Sequence, residues 1–71
     1  MPIVTINLVA GRDRETVQEC LRQVAETVAR TLDAPLSSVR VVAQEVDPGL
    51  WCVGGVLKSE QAATGEPPVA P

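Results

Sequence analysis

One amphipathic helix between two short strands is the pattern that most constrains the fold of this chain. Residues 2–10 (PIVTINLVA) and 39–46 (VRVVAQEV) are rich in β-branched residues, which favours two strands. Between them, apolar side chains recur at steps of three and four, at Val17, Leu21, Val24, Val28 and Leu32, which predicts a helix from Arg14 to Leu32. The sequence therefore predicts an α/β fold made of a single β-α-β unit, whose strands run parallel with a right-handed crossover.

The segments around this unit contain stop and turn signals. Asp13 is the expected N-cap of the helix, and Asp33-Ala34-Pro35 should end it. Asp47-Pro48-Gly49 predicts a turn, and a short strand at Trp51-Cys52-Val53 before Gly54-Gly55 predicts a short C-terminal hairpin. Residues 59–71 (SEQAATGEPPVAP) show no periodicity, so we expect a folded domain at residues 1–58 and a flexible tail at 59–71.

The predicted unit has too few large apolar residues to form a stable core of its own. In 71 residues the only aromatic residue is Trp51, and domains below about 70–80 residues seldom gain more than roughly 3–5 kcal/mol from one core. The two cysteines, Cys20 and Cys52, allow at most one bridge, and no secretory leader argues for oxidation. One helix covers one face of the sheet, so we expect a bare apolar face that another copy of the chain covers.

Composition excludes several classes of function. The net charge is −3 and the charges are scattered, so no basic stripe is present to bind nucleic acid. No apolar run is long enough to span a membrane, and a cytoplasmic protein is the expectation. The sequence has no His and its two Cys are far apart, which argues against a metal site.

Four residues are candidates for chemistry, and each has a plain structural alternative. Pro2 would begin the mature chain as a free secondary amine after loss of Met1, although many chains start with Met-Pro. Arg12 follows the first strand and could be a solvated loop arginine. Arg40 lies in an otherwise apolar strand, where a charge needs a partner, a site or an interface. Trp51 stands between a Pro-Gly turn and a Gly-Gly pair and could be a core residue.

Together these residues match a known family. The stretch from residue 2 to about residue 57 resembles 4-oxalocrotonate tautomerase, and the spacing between Pro2 and each arginine is kept without a gap. The matching pieces are Pro2-Ile3, Gly11-Arg12, Leu32-Asp33-Ala34-Pro35-Leu36, Ser38-Val39-Arg40-Val41 and Gly54-Gly55 after an aromatic residue. The resemblance implies a homo-oligomer, a hexamer built as a trimer of dimers.

The resemblance also implies a role for each candidate. Pro2 would be the general base that moves a proton within a 2-hydroxydienoate or an enol or keto 2-oxo acid. Arg12 would hold a substrate carboxylate, and Arg40 would bind the 2-keto oxygen and its neighbouring carboxylate. Trp51 stands where the family has a phenylalanine that keeps the pocket apolar. The chemistry that the resemblance implies requires no metal and no organic cofactor.

Departures from the family leave other functions open. A hydratase or dehalogenase of the same superfamily would add an acid near the aromatic residue and a second arginine on the first strand. Here Cys52 and Val53 follow Trp51, and Val9 occupies the expected arginine position. A non-catalytic oligomeric module would result if Met1 were retained, because an acylated Pro2 is no base. The Pro-rich tail, unlike the family's basic one, suggests a branch serving secondary metabolism.

Overall fold

The computed structural model describes residues 1–64, and these form the predicted β-α-β unit followed by a hairpin and a second helix. The elements in chain order are β1 (Ile3–Val9), α1 (Arg14–Leu32), β2 (Arg40–Val46), β3 (Cys52–Val53), β4 (Val56–Leu57) and α2 (Lys58–Thr64). A 3-10 turn at Leu36–Ser38 precedes β2, and another at Pro48–Leu50 follows it. Neither helix combines the length and the hydrophobicity that would take this part of the chain across a membrane.

The two long strands form a parallel pair, as predicted. Ile3 lies opposite Arg40 and Val9 lies opposite Val46. The strand pairing starts with the amide of Arg40, which donates to the carbonyl of Pro2 at 2.9 Å. β2 begins one residue later than predicted because Val39 closes the preceding turn, where its amide donates to the carbonyl of Leu36 at 3.1 Å.

Helix α1 has the predicted bounds, but its N-terminus differs from the prediction. Asp13 occupies the N-cap position, yet its side chain makes no capping hydrogen bond. Only its carbonyl takes part, by accepting from the amide of Val17 at 3.2 Å. At the other end Asp33 adopts the left-handed conformation, with φ 53° and ψ 47°, and its amide donates to the carbonyl of Ala29. Pro35 then prevents continuation of the helix.

The sheet has one face against α1 and one face open. Alternate side chains of the strands are half-buried on the helix side, namely Val4, Ile6, Leu8, Val41 and Ala43. The opposite face is bare, as predicted, but the prediction that it is apolar was wrong. Polar and apolar side chains share it. Val9 and Val46 at its far end are half-buried, and the others are exposed: Ile3, Thr5, Asn7, Arg40, Val42 and Gln44.

A single copy of the chain has no closed core. Among residues 1–61, whose burial the structure describes, no apolar side chain is fully buried. Ile3 is 66% exposed, Val42 53% and Leu50 79%. Leu32, predicted to lie on the buried face of α1, is 64% exposed because it is the last residue of the helix, beside the equally unprotected Leu36. Exposure on this scale is unfavourable for an isolated chain of this length.

The C-terminal part forms a hairpin and then departs from the expected tail. Cys52 lies opposite Leu57 in the antiparallel pair β3 and β4, and the turn between them uses Gly54 (φ 60°) and Gly55 (φ 83°), a conformation natural to glycine. Helix α2 then occupies the first residues of the expected tail. Its first turn is held by the carboxylate of Glu60, which accepts from the amide of Leu57 at 3.3 Å. The remainder of that tail, residues 65–71, lies outside the described residues.

Candidate active site

Pro2 lies at the end of the sheet where both strands begin. It directly precedes β1, is half-exposed, and is followed by the exposed Ile3. Its carbonyl accepts from the amide of Arg40 at 2.9 Å, so the start of β1 is tied to the start of β2. Met1, which carries the N-terminus in this structure, is 80% exposed.

Arg40 is brought next to Pro2 by the parallel register of the sheet. It is the first residue of β2 and lies opposite Ile3. Its side chain is exposed, and Nη1 donates to the carbonyl oxygen of Ser37 at 3.0 Å. The interior-strand position expected for this arginine is therefore a strand end, where a guanidinium reaches solvent and ligands without a burial cost.

Arg12 lies at the opposite end of β1. The chain leaves the strand through Gly11, whose φ of 129° suits glycine. Nη1 of Arg12 then reaches back to the carbonyl oxygen of Val9 at 3.4 Å, a long contact. At about 3.3 Å per residue the strand between Pro2 and Arg12 is roughly 20 Å long. Within one chain, the structure does not bring Arg12 to Pro2.

Trp51 follows the second 3-10 turn and is half-buried. The carboxylate of Asp47 holds this turn by accepting from the amide of Gly49 at 2.7 Å. The carbonyl of Trp51 accepts from the amide of Lys58 at 2.8 Å, which ties the residue before the hairpin to the first residue of α2. Cys52 beside it is an exposed free thiol, as is Cys20.

The two candidate arginines keep their full charge available. Within residues 1–64 neither Arg12 nor Arg40 pairs with a carboxylate; both donate to neutral backbone carbonyls. An ion pair does form on the exposed side of α1, between Arg22 and Glu19 at 3.3 Å. On this helix the pKa of Glu19 is lowered mainly by the hydrogen bond from Gln23 and secondly by the one from Arg22. Unpaired guanidinium groups are suited to binding an anionic ligand.

The turn before β2 makes a contact with Arg40 that the residue types alone did not predict. Ser37 supplies the carbonyl that Arg40 contacts, and the hydroxyl of Ser38 donates to the carbonyl of Pro35 at 2.7 Å. Two serines between a proline and a strand are a turn signal. That signal indicates a turn and does not reveal that its carbonyl faces an arginine.

None of the four candidates lines the open groove between α1 and β2. This groove has a volume of about 260 Å³ and is lined by Arg14, Val17, Gln18, Leu21, Ala43 and Glu45. The candidate residues instead occupy the two ends of the sheet and the C-terminal hairpin. One chain alone therefore places the candidates Pro2 and Arg40 together and the candidate Arg12 apart from them.

Comparison with known proteins identifies the class of protein to which these pieces belong. Residues 2–61 match the tautomerase family, described as Tautomerase enzyme. The chain is 43% identical over 60 residues to a 2-hydroxymuconate tautomerase of Pseudomonas putida, which covers 84% of this chain and 95% of the relative. A probable tautomerase of Lactiplantibacillus plantarum is 38% identical over 63 residues, or 89% of this chain and 98% of the relative. The chain belongs to the tautomerase family and is an isomerase.

Solved structures place it more narrowly, within the group named for 4-oxalocrotonate tautomerase. A heterohexamer 4-oxalocrotonate tautomerase from Chloroflexus aurantiacus has a TM-score of 0.81 and 37% identity over 84% of this chain and 97% of that chain. TomN, a 4-oxalocrotonate tautomerase homologue in the tomaymycin biosynthetic pathway, has a TM-score of 0.86 and 29% identity over 92% and 100% of the two chains. The β-α-β fold and the family resemblance are confirmed.

Proposed function

We propose that this tautomerase moves a proton within a 2-hydroxydienoate, such as 2-hydroxymuconate, or within the enol of a 2-oxo acid. The amine of Pro2, freed by removal of Met1, acts as the general base. It accepts the proton at one position of the substrate and returns it at another, so no atom or electron is gained or lost. The curated relatives named 2-hydroxymuconate tautomerase support this substrate class.

The chemistry requires an amine that is unprotonated near neutral pH. A base works best when its pKa lies close to the ambient pH. Desolvation and neighbouring guanidinium groups both lower the pKa of an amine, because each disfavours the protonated form. Arg40, whose amide is bonded to the carbonyl of Pro2, is suited to donate to the 2-oxygen of the substrate and its adjacent carboxylate. This contact strengthens as negative charge develops on that oxygen.

The observation that carries the proposal is the placement of Pro2 and Arg12 at opposite ends of β1. A six-carbon dicarboxylate cannot bridge the roughly 20 Å of that strand. Arg12 therefore serves the site of another chain, whose β1 runs antiparallel to the first and brings the two ends together. Trp51 supplies an apolar wall, and its indole N–H adds a donor that phenylalanine lacks.

Assembly of identical chains would also bury the apolar side chains that a single chain leaves exposed. The open face of the sheet carries Ile3 at 66% and Val42 at 53% exposure, which only another chain can cover. We propose a homohexamer arranged as a trimer of dimers, supported by the heterohexamer named for the Chloroflexus relative. Native mass spectrometry reads the number of chains directly, and a stable monomer would contradict the shared site.

Substituting Arg12 by alanine tests the proposed substrate contacts. We expect a higher KM for the diacid 2-hydroxymuconate, by roughly 10- to 100-fold for the loss of a charged hydrogen bond, with kcat little changed. A monoacid 2-hydroxydienoate has no second carboxylate for Arg12 and should keep its KM. Steady-state kinetics on both substrates measure the difference.

Arg14→Ala is the matched control for Arg12→Ala. Arg14 is likewise an exposed arginine near the N-terminus of α1, so its removal changes the net charge equally. It should leave both KM values near those of the unmodified protein. Equal losses on diacid and monoacid with Arg12→Ala would count against the proposed role of Arg12.

A further inference from the structure

The 3-10 turn before β2 is stabilised by a side-chain hydrogen bond in addition to its backbone hydrogen bonds. The amide of Ser38 donates to the carbonyl of Pro35 at 2.9 Å, and the amide of Val39 donates to that of Leu36 at 3.1 Å. The hydroxyl of Ser38 adds a second donor to the same Pro35 carbonyl, at 2.7 Å. The hydroxyl of Ser38 therefore stabilises the turn from Pro35 to Ser38, which lies two residues before Arg40.

The carbonyl of Ser37 in this turn contacts the guanidinium of Arg40. The oxygen of Ser37 accepts from Nη1 at 3.0 Å, and no carboxylate within residues 1–64 pairs with this arginine. A free arginine side chain samples many rotamers. A hydrogen bond to a fixed acceptor restricts these rotamers before the substrate binds. A neutral carbonyl does this while leaving the positive charge and the other N–H donors available.

We propose that Ser38 is a positioning residue for Arg40. Its hydroxyl fixes the turn, and the turn holds the Ser37 carbonyl where it orients the guanidinium toward the 2-oxygen of the substrate. This rests on the role of Arg40 given under Proposed function. Preoriented donors contribute to rate because they need no reorganisation as charge develops in the transition state.

Removal of the hydroxyl should change the chemical step more than the fold. Ser38→Ala leaves both backbone hydrogen bonds of the turn in place, so assembly should persist. The guanidinium of Arg40 should then sample more orientations. We expect kcat to fall roughly 2- to 10-fold, the range for one hydrogen bond, with KM changed less. Ser38→Thr, which keeps the hydroxyl, should restore kcat.

Thr31→Ala is the matched control. Thr31 also donates its hydroxyl to a backbone carbonyl at 2.7 Å, that of Thr27, but it does so within α1. Its loss should leave kcat unchanged. Should Ser38→Ala fail to assemble, Ser38→Cys takes its place in every comparison, because it keeps the side-chain volume and replaces the hydroxyl with a weak donor.

A double-mutant cycle with Arg40→Ala decides the proposal. If Ser38 acts through Arg40, its substitution should lower kcat in the unmodified protein and have no further effect once Arg40 is gone. The same fold loss in both backgrounds, or a loss no larger than that of Thr31→Ala, would overturn the positioning role. Full activity of Arg40→Ala alone would overturn the proposed function of Arg40 itself, and the role of Ser38 with it.

Discussion

A protein whose position 2 nitrogen is blocked should lose tautomerase activity almost completely. Pro2→Leu achieves this, because a large residue at this position prevents removal of Met1 and leaves the nitrogen as an amide. General-base catalysis contributes about 100- to 10,000-fold, so we expect kcat/KM on 2-hydroxymuconate to fall by at least about 100-fold. Pro2→Ala frees a primary amine instead and should keep partial activity.

Chemical acylation gives an independent version of the same test. Lys58 is the only lysine in the sequence, so Lys58→Arg leaves the N-terminus as the one amine that can be acylated. This variant should be active before the reaction and inactive after it, with mass spectrometry reporting the extent of acylation and the removal of Met1. Full activity of a protein with verified retained Met1 would be incompatible with Pro2 as the base.

Arg40→Ala should produce the next largest loss, mainly in kcat. Its guanidinium is proposed to face the oxygen on which charge develops, and deleting one such donor costs about 100- to 1,000-fold in rate. Substrate binding should suffer less, because Arg12 is proposed to hold the remote carboxylate. Steady-state kinetics on diacid and monoacid should show the same fall in kcat for both.

Arg30→Ala is the charge-matched control for Arg40→Ala. Arg30 is exposed in the last turn of α1 and lies outside the candidate site. Its loss should leave kcat unchanged. A rise in KM without a fall in kcat for Arg40→Ala would mean that Arg40 contacts the ground state and the transition state equally.

The backbone of the first 46 residues was largely predictable from the sequence. Apolar residues spaced by three and four gave both bounds of α1, Arg14 and Leu32, because helix periodicity and Pro35 act locally. The parallel pairing followed from topology, since a helix between two strands returns the chain in the same direction. In the structure this pairing places Arg40 beside Pro2.

Features set by side-chain detail were less predictable. The sequence has no apolar periodicity over Lys58–Thr64, yet Glu60 holds the start of a helix there by a hydrogen bond to Leu57. Asp13 is of the residue type that caps helices, but its carboxylate makes no capping bond. The contact of Ser37 with Arg40 depends on the geometry of one turn, which residue types do not specify.

In the proposed site, Pro2 and Arg12 meet only through a second chain. The strand between them is roughly 20 Å long, and no feature of one chain states which neighbour would supply the second arginine of the proposed site. Strand arithmetic predicts that the site is shared, and the family resemblance supplies the form of the assembly. Ile3 and Val42 are exposed on the open face, which is the surface proposed to contact a partner.

Complementation between two variants that are each impaired on the diacid tests the shared site most directly. Pro2→Leu and Arg12→Ala chains are mixed in equal amounts, unfolded together and refolded, with native mass spectrometry confirming mixed oligomers. Activity is measured on the diacid at a concentration where each variant alone is nearly inactive. Random pairing should restore about a quarter of native sites, because an intact Pro2 then meets an intact Arg12 of its partner. Mixed oligomers with no activity above that of the separate variants would contradict a site built from two chains.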